Sequence, residues 1–357
     1  MLGISIYLSE KNSEKNKKYI EIAKKNGFHS IFTSLHIPED DPSTYKKLLQ
    51  TLGTEAKENE MELMADISAK SLTHLGLDYS NVGELQNWGV TGLRVDYGLN
   101  EKQTADLSKK MKIALNASTL TPVFLDELLK CELQTKNVEA WHNFYPRPET
   151  GLATSYLIEK NKWLKSFGIS TMAFIPGNDE MRGPLFKGLP TLEKHRGTNP
   201  LQAYLDLTQN CYIDKVLVGD INIKIETMEA LSKTKDFIEL RYRSYSQDEE
   251  ILSIIEQVHT NREDPARDCL RSMESRLYGS FGKNSLKPVN TITRSVGSVT
   301  IDNELYGRYG GELQIILTNL PSDEKVNVIG KIIEDDLSLL QYIGAGKKFQ
   351  LKRVSDC

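Results

Sequence analysis

Up to about residue 235, the chain alternates between short apolar runs and longer amphipathic stretches. Each run of apolar and β-branched residues is followed by polar residues and then by a segment with helical spacing of its apolar positions. The pattern predicts strands at residues 2–8, 29–36, 61–67, 91–95, 112–117, 138–144, 169–175 and 215–219. It predicts helices near residues 13–26, 43–59, 81–87, 100–109, 123–131, 154–167, 199–210 and 224–234.

Eight strand–helix units in succession predict an α/β fold, a (β/α)8 barrel over residues 1–235. Parallel strands need long crossover connections, and eight such units close naturally into a ring. An open doubly wound sheet is the alternative, but no GxGxxG motif follows the first strand. The number of units therefore favours the barrel.

After residue 235 the pattern changes to one typical of β structure. Residues 237–243, 289–301 and 312–318 alternate as strands do, and one helix is expected near residues 248–259. Glycine-rich turns such as residues 307–311 separate the strands. The sequence therefore predicts a small, mostly-β barrel or sandwich over residues 236–357.

The composition is that of an ordinary globular protein large enough for two domains. Of its 357 residues, 39% are hydrophobic and 26% charged. The net charge of -4 gives no overall attraction to nucleic acid, and no stretch reaches the roughly 20 apolar residues that cross a bilayer. The four cysteines are far apart in sequence, which favours free thiols in a reducing compartment. We therefore expect a cytoplasmic protein with no cofactor and no nucleic-acid or membrane partner.

Acidic residues at the predicted strand ends are candidates for catalysis, because these ends meet at one mouth in a barrel. Asp66 and Asp96 end neighbouring strands, where proximity and burial would separate their pKa values and supply one acid and one base. Glu193, in the long segment after the seventh strand, is a third candidate. Each aspartate can alternatively cap a loop or a helix, as is common directly after a strand.

Further polar residues at the strand ends are candidates for substrate binding. The end of the sixth strand combines aromatic faces with hydrogen-bond donors, which suits a sugar, although a rigid loop around a core tryptophan is the structural alternative. Segment 176–198 contains several glycines together with Lys, His and Arg residues. This combination of backbone N–H groups and positive charge suits either a phosphate site or a solvated lid. The candidate ligands are His36, Arg94, Asn116, His142, Asn143, Tyr145, Arg147, His195 and Arg196.

A metal site is the alternative use of some of these residues. His36 and His142 would bind the metal together with Asp66 or Asp220. Metal sites usually show tight ligand spacing in the sequence, and these residues do not. We therefore expect no metal.

Several segments together resemble the bacterial 6-phospho-N-acetylmuramidases: LGISIYLSE, SLHIPED, ADIS, LRVDYG, WHNFYPRPETGL, NREDPARD and RYGGELQI. The resemblance spans residues 1–352 and implies a barrel followed by a cyclophilin-like β domain. It implies a cytoplasmic exo-glycosidase of peptidoglycan recycling. Its substrate would be a phosphorylated amino-sugar disaccharide, from whose non-reducing end N-acetylmuramic acid 6-phosphate, linked β-1,4 to N-acetylglucosamine, is released.

Such a hydrolysis needs one carboxyl to protonate the leaving oxygen and a second to stabilise or attack the anomeric carbon. A separation of about 5–5.5 Å indicates retention and about 6.5–9.5 Å inversion, while a 2-acetamido group permits attack by the substrate's own carbonyl oxygen. We expect Asp96 or Glu193 as the acid and Asp66 as its partner. A sugar-phosphate aldolase or isomerase and a non-catalytic sugar-phosphate binding protein are the alternatives, and no lysine at a strand end supports Schiff-base chemistry.

Overall fold

The computed structural model describes residues 1–35, 44–95, 99–277 and 286–354. The chain divides into two compact units, of which the first is Met1–Ser232 and the second begins at Lys233. The sequence pattern changes at nearly the same place, after residue 235.

The first unit contains eight parallel strands that form a closed barrel in chain order, with the last strand paired to the first. The strands are β1 (Leu2–Ser5), β2 (Phe28–Ser34), β3 (Glu62–Ile67), β4 (Gly92–Val95), β5 (Lys112–Asn116), β6 (Val138–Trp141), β7 (Ser170–Ile175) and β8 (Lys215–Val218). The predicted (β/α)8 barrel is therefore confirmed.

Helices alternate with these strands along the chain. They are α1 (Ser13–Lys25), α2 (Tyr45–Glu58), α3 (Ala69–His74), α4 (Glu84–Asn87), α5 (Glu101–Ser108), α6 (Pro122–Lys130), α7 (Thr154–Ser166), α8 (Pro200–Asn210) and α9 (Ile225–Lys233). Within the described ranges of the chain, no helix combines the length and apolarity needed to span a membrane.

Several helices begin where the sequence places capping residues. Asn100 and Gln103 exchange side-chain hydrogen bonds with each other's backbone N–H groups, which forms a capping box before α5. Thr121 and Asn199 cap α6 and α8, and each is followed by proline at the first helical position. Helix α3 was not predicted, because its six residues are too few to show a helical period.

The barrel interior contains one layer of apolar side chains near its middle. Strand side chains alternate between the inside and the outside of a barrel, so each strand contributes every second residue to the interior. The buried cluster consists of Phe32, Met64, Ala114, Trp141, Met172, Phe174 and Leu217.

Charged side chains fill the interior on the amino-terminal side of this apolar layer. Lys215 Nζ lies 2.6 Å from both Glu62 Oε2 and Glu139 Oε2. Lys112 Nζ lies 2.5 Å from Glu62 Oε1 and 3.2 Å from Glu139 Oε1. The indole N–H of Trp141 donates to Glu139 at 2.7 Å. Because buried charges are tolerated when they are paired, this end of the barrel can be filled by side chains, and ligands would enter at the carboxyl end.

The second unit is built on a seven-stranded sheet with the strand order β10-β15-β9-β14-β12-β13-β11. Its strands are β9 (Ile238–Ser244), β10 (Val258–Thr260), β11 (Cys269–Arg271), β12 (Ser298–Asp302), β13 (Leu313–Ile316), β14 (Val326–Ile332) and β15 (Lys348–Arg353). Its helices are α10 (Glu249–Ile255), α11 (Met273–Leu277) and α12 (Glu334–Leu337).

The two edge strands of this sheet approach each other where they end. Asn261, directly after β10, forms an antiparallel bridge with Ser272, directly after β11. The backbone N–H of Arg262 also donates to the carbonyl of Arg271 at 3.1 Å. The sheet is therefore a nearly closed barrel, and the prediction of a small, mostly-β domain is confirmed.

Two element predictions in this unit were wrong. The strand expected over 289–301 begins only at Ser298. Asn290 has a left-handed φ of 51°, and its side chain donates to the carbonyl of Val328 on β14 at 2.6 Å. The helix expected over 248–259 ends at Ile255, and Val258–Thr260 instead pair with β15. In both cases hydrogen bonds to residues distant in sequence decide the conformation. A local sequence pattern contains no information on such hydrogen bonds.

The stability of the second unit should depend on the protonation of Asp302. Burial, together with the nearby carboxylate of Glu312, raises the pKa of Asp302 to about 7. Between the unfolded and folded pKa values only the folded carboxyl holds its proton, so stability falls as the pH rises towards 7. When the pH is raised from about 5 to about 8, the wild type should lose up to about 3 kcal/mol more of its free energy of unfolding than Asp302→Asn loses. The reason is that one pKa unit is worth about 1.4 kcal/mol.

The measurement is urea unfolding at both pH values, followed by hydrogen–deuterium exchange of peptides from β12 and β13. His259, whose pKa burial lowers, contributes the opposite pH dependence. That contribution cancels in the difference between variant and wild type. Equal pH dependence in the two proteins would contradict the assignment to Asp302.

Candidate active site

Inward-facing polar side chains form a layer at the carboxyl end of the barrel, which we call the mouth. They lie two positions after the apolar or glycine residues that face the interior, because side chains alternate along a strand. The residues of this layer are Ser34, Asp66, Arg94, Asn116 and Asn143. All of them except Asn143 are buried. The strand alternation thus brings four of the sequence-predicted site residues to one level.

Three of these residues are joined directly. Arg94 Nη1 donates to Asp66 Oδ2 at 3.1 Å, and Arg94 Nη2 donates to Asn143 Oδ1 at 2.5 Å. The side chain of Asp66 keeps 10% of its surface exposed. The guanidinium therefore fixes the orientation of a carboxylate and an amide in the mouth, as a catalytic or substrate-binding group requires.

Asn116 ends β5, and Tyr145 lies in the loop after β6, the next strand of the barrel. Asn116 Oδ1 accepts the backbone N–H of Ser118 at 3.0 Å, and the Ser118 hydroxyl lies 3.4 Å from the hydroxyl of Tyr145. Tyr145 is half-buried and Arg147 is exposed. Hydroxyl groups in this position can bind sugar hydroxyls. His36 and Asp96 lie outside the described residues.

Glu193 and Arg196 form an ion pair that organises the loops around the mouth. Arg196 Nε and Nη2 each lie 2.7 Å from a Glu193 oxygen. The same carboxylate accepts the backbone N–H groups of Glu149 and Gly151, both at 2.8 Å. Arg196 also donates to the carbonyls of Gly188 at 3.0 Å and Tyr145 at 2.9 Å.

This bonding does not suit the catalytic roles expected from the sequence. The hydrogen bond from Arg196 and those from the two backbone amides lower the pKa of Glu193 to about 2. A carboxyl with such a pKa is ionised at neutral pH and is a poor proton donor. The N–H groups of Arg196 are used by Glu193 and by carbonyls, so the pair has a structural explanation.

The two histidines contact helices outside the barrel. His142 follows the inward-facing Trp141 and therefore faces outward, where its Nε2 lies 2.7 Å from Asn161 Oδ1 on α7. Its side chain is fully buried, and burial lowers its pKa to about 4. His195 Nε2 lies 2.8 Å from Asp206 Oδ2 on α8. The described side-chain contacts of both histidines are therefore with helices of the barrel unit.

Asp220, just after β8, binds the backbone of the loop that follows β7. Its Oδ2 accepts the N–H groups of Gly177 at 2.8 Å and Leu189 at 3.0 Å, and its Oδ1 accepts that of Arg182 at 3.0 Å. Asp220 is fully buried. Three backbone amides of this loop are therefore directed at an internal carboxylate.

Arg182, which the sequence analysis did not select, lies in this same loop. Its guanidinium carbon lies 3.8 Å from the ring centre of Tyr7, and the Tyr7 hydroxyl donates to the carbonyl of Gly219 at 2.5 Å. Both Arg182 and Tyr7 are buried. The sequence could have indicated Arg182 only through its position in segment 176–198. It does not show which cation of that segment contacts the end of a strand.

Among the residues that the structure describes, no cluster of three or more His, Cys, Asp or Glu side chains has the arrangement of a metal site. The acidic and histidine side chains described above are bound instead to arginine, asparagine, aspartate, lysine or backbone amides.

Known proteins resemble the chain over both units. A family described as 6-phospho-N-acetylmuramidase, N-terminal, matches residues 2–233, and the corresponding C-terminal family matches residues 238–352. The crystal structure of a conserved protein of unknown function from Enterococcus faecalis is 44% identical, covers 99% of this chain and 96% of that chain, and has a TM-score of 0.87. An uncharacterized B. cereus protein is 29% identical, with coverage of 98% and 99% and a TM-score of 0.80. The search of curated proteins found no match.

The pairing of Glu193 with Arg196 predicts the behaviour of their variants. Glu193→Gln and Arg196→Met should each lower the thermal stability of the barrel and reduce turnover by about tenfold or less, through loop disorder. Because the two side chains act on each other, the double variant should lose little more than the worse single variant. Thermal unfolding and hydrolysis at neutral pH are the measurements. A loss of turnover of about 1000-fold in Glu193→Gln, with unchanged thermal stability, would instead identify Glu193 as the acid.

Proposed function

The chain belongs to the 6-phospho-N-acetylmuramidase family over both of its units, and we propose that it is an exo-acting glycoside hydrolase. Its substrate is N-acetylmuramic acid 6-phosphate linked β-1,4 to N-acetylglucosamine. The products are N-acetylmuramic acid 6-phosphate, released from the non-reducing end, and N-acetylglucosamine. Such a disaccharide arises inside the cell from peptidoglycan fragments, so the proposal includes a cytoplasmic location and a role in peptidoglycan recycling.

The observation that carries this proposal is the carboxylate of Asp66, held by Arg94 in the mouth of the barrel. Glycoside hydrolysis passes through a positively charged, oxocarbenium-like transition state, which a fixed carboxylate stabilises. The Arg94 contact keeps this carboxylate oriented before substrate binds. Asn143, on the same guanidinium, supplies an amide that can bind the sugar ring or its acetamido group.

In the proposed reaction Asp96 is the acid and Asp66 is the partner carboxylate. Asp96 donates its proton to the bridging oxygen as the glycosidic bond breaks, so that N-acetylglucosamine leaves with a neutral hydroxyl. Asp66 stabilises the charge that develops at the anomeric carbon or, if the 2-acetamido oxygen attacks, on that amide. Water then adds to the anomeric carbon and its proton returns to Asp96 or, in an inverting reaction, is taken by Asp66. The hydroxyls of Tyr145 and Ser118 bind the sugar.

Asp66→Asn and Asp96→Asn should each lower turnover by roughly 10²- to 10⁴-fold, the usual contribution of a catalytic acid or base. Asp126→Asn, an exposed aspartate on α6, is the matched control and should keep wild-type turnover. Circular dichroism and thermal unfolding establish that the variants fold. Wild-type rates in both Asp66→Asn and Asp96→Asn would discard this assignment.

The substrate is tested by incubating the wild-type protein with the phosphorylated and the unphosphorylated disaccharide and following the products by mass spectrometry. Cleavage of the phosphorylated compound, with little of the other, is the expected result. Equal cleavage of both would remove the phosphate from the proposal. Tight binding without product over hours would indicate a binding protein, and an isomerised or carbon–carbon-cleaved product would indicate an isomerase or an aldolase.

A further inference from the structure

We propose that the aromatic ring of Phe144 stacks against the non-reducing sugar ring of the substrate, the ring at whose anomeric carbon Asp66 acts. The inference rests on the proposed function and names the residue that binds the apolar face of this sugar. It follows from three observations: where Phe144 lies, how the backbone around it is fixed, and what stands opposite it in the mouth.

Phe144 lies just beyond the carboxyl end of β6, directly after Asn143. Its side chain packs against the apolar layer of the barrel interior and is half-buried. The ring meets that of Phe174 edge to face, with the ring centres 5.1 Å apart and the ring planes at 80°. A side chain that covers the apolar layer from the carboxyl end and stays partly accessible lines the mouth.

The backbone on both sides of Phe144 is tied to the segment that follows β7. The carbonyl of Asn143 accepts the hydroxyl of Thr191 at 2.8 Å. The N–H group of Tyr145 donates to the carbonyl of Pro190 at 3.0 Å. The residues before and after the ring are therefore held in place, so the ring has a defined position before a ligand binds.

Phe174 gives the mouth an apolar side across from Asp66. It follows Met172 by two positions on β7, just as Asp66 follows Met64 on β3, so both side chains extend from the apolar layer towards the mouth. Strands β3 and β7 are four places apart in a ring of eight, which puts them on opposite sides of the barrel. A ligand in the mouth therefore has a carboxylate on one side and aromatic rings on the other.

A pyranose ring suits these surroundings. It carries C–H groups on its faces and hydroxyl groups around its edge, so an aromatic side chain can bind a face while polar groups bind the edge. Asn143, the chain neighbour of Phe144, accepts a hydrogen bond from Arg94, which also donates to Asp66. We therefore place Phe144 against the same sugar ring as Asp66, and in an exo-acting hydrolase this is the non-reducing ring.

Other aromatic residues near the mouth are less suited to this contact. Trp141 is fully buried in the apolar layer. Tyr145 has its hydroxyl 3.4 Å from that of Ser118. Phe186, in the loop after β7, is exposed, but its ring lies beside Gly183 of the same loop. Phe144 combines a contact with the barrel interior with an accessible surface.

The test compares Phe144→Leu and Phe144→Tyr with the wild type, measuring KM and kcat for the phosphorylated disaccharide. Phe144→Leu keeps an apolar contact with Phe174 but removes the aromatic face, so KM should rise by roughly 3- to 10-fold with little change in kcat. Phe144→Tyr keeps the aromatic face and should keep the wild-type KM. Thermal unfolding establishes that the variants fold. If Phe144→Leu does not fold, Phe144→Met, which has a more adaptable side chain, replaces it.

Phe167→Leu is the matched control. Phe167, at the end of α7, is an exposed phenylalanine in a similar edge-to-face contact with Trp163, and its substitution should leave KM unchanged. An unchanged KM in Phe144→Leu would overturn the proposal. An equal rise of KM in Phe144→Leu and Phe144→Tyr would also overturn it, because the aromatic face would then make no contribution to binding.

Product inhibition identifies the sugar ring that Phe144 contacts. Phe144→Leu should weaken inhibition by N-acetylmuramic acid 6-phosphate by about the same factor as it raises KM. Inhibition by N-acetylglucosamine should stay unchanged. A loss confined to N-acetylglucosamine would overturn the assignment to the non-reducing ring.

The failure of the proposed function is distinguishable from the failure of this inference. If the wild-type protein cleaves neither the phosphorylated nor the unphosphorylated disaccharide, isothermal titration with N-acetylmuramic acid 6-phosphate replaces the kinetic test. An affinity that falls in Phe144→Leu and is kept in Phe144→Tyr supports the sugar contact without any activity. No binding, or equal affinity in all three proteins, overturns it. An active wild type with an unchanged KM in Phe144→Leu contradicts this inference alone.

Discussion

A strand in a closed barrel can orient only every second side chain towards the interior, and the organisation of this site depends on that alternation. Three levels result: paired charges at the amino-terminal end, an apolar layer in the middle, and a polar layer at the mouth. Trp141 belongs to the apolar layer, so its neighbour His142 faces α7 and Asn143, one position further, faces Arg94. A shift of one residue in this strand would exchange the histidine and the asparagine.

Carboxylates near the mouth have two different kinds of partner. Asp220 and Glu193 accept backbone amides from neighbouring loops, and these contacts fix the loops in place. Asp66 instead accepts a hydrogen bond from the guanidinium of Arg94 in the polar layer of the mouth. A carboxylate that several N–H groups hold in its ionised form stabilises structure, whereas one that is oriented at the mouth can act on a bound sugar.

The amino-terminal end of the barrel shows the opposite use of charge. Lys112 and Lys215 are shared between Glu62 and Glu139, so the cations and carboxylates compensate one another. Such a network fills space at a large desolvation cost and is retained when the pairing is complete. The arginines at the mouth belong to different elements instead: Arg94 lies on β4, and Arg182 lies in the loop after β7, where it contacts the ring of Tyr7 and its backbone N–H donates to Asp220.

The sequence by itself determined the barrel, the mostly-β second domain and the strand ends that carry Asp66, Arg94, Asn116 and Asn143, because the hydrophobic period reports which residues are buried. It did not determine the strand limits near Asn290 and Val258, which depend on pairing with distant residues. Only the tertiary structure showed that Glu193, Arg196, His142 and His195 are not part of the polar layer of the mouth. It also identified Arg182 as a residue that contacts Tyr7. The hydrogen-bond and ion-pair partners of these residues are remote in the chain or on other elements. A sequence pattern records residue type and spacing, but it does not record which side chains form hydrogen bonds or ion pairs with each other.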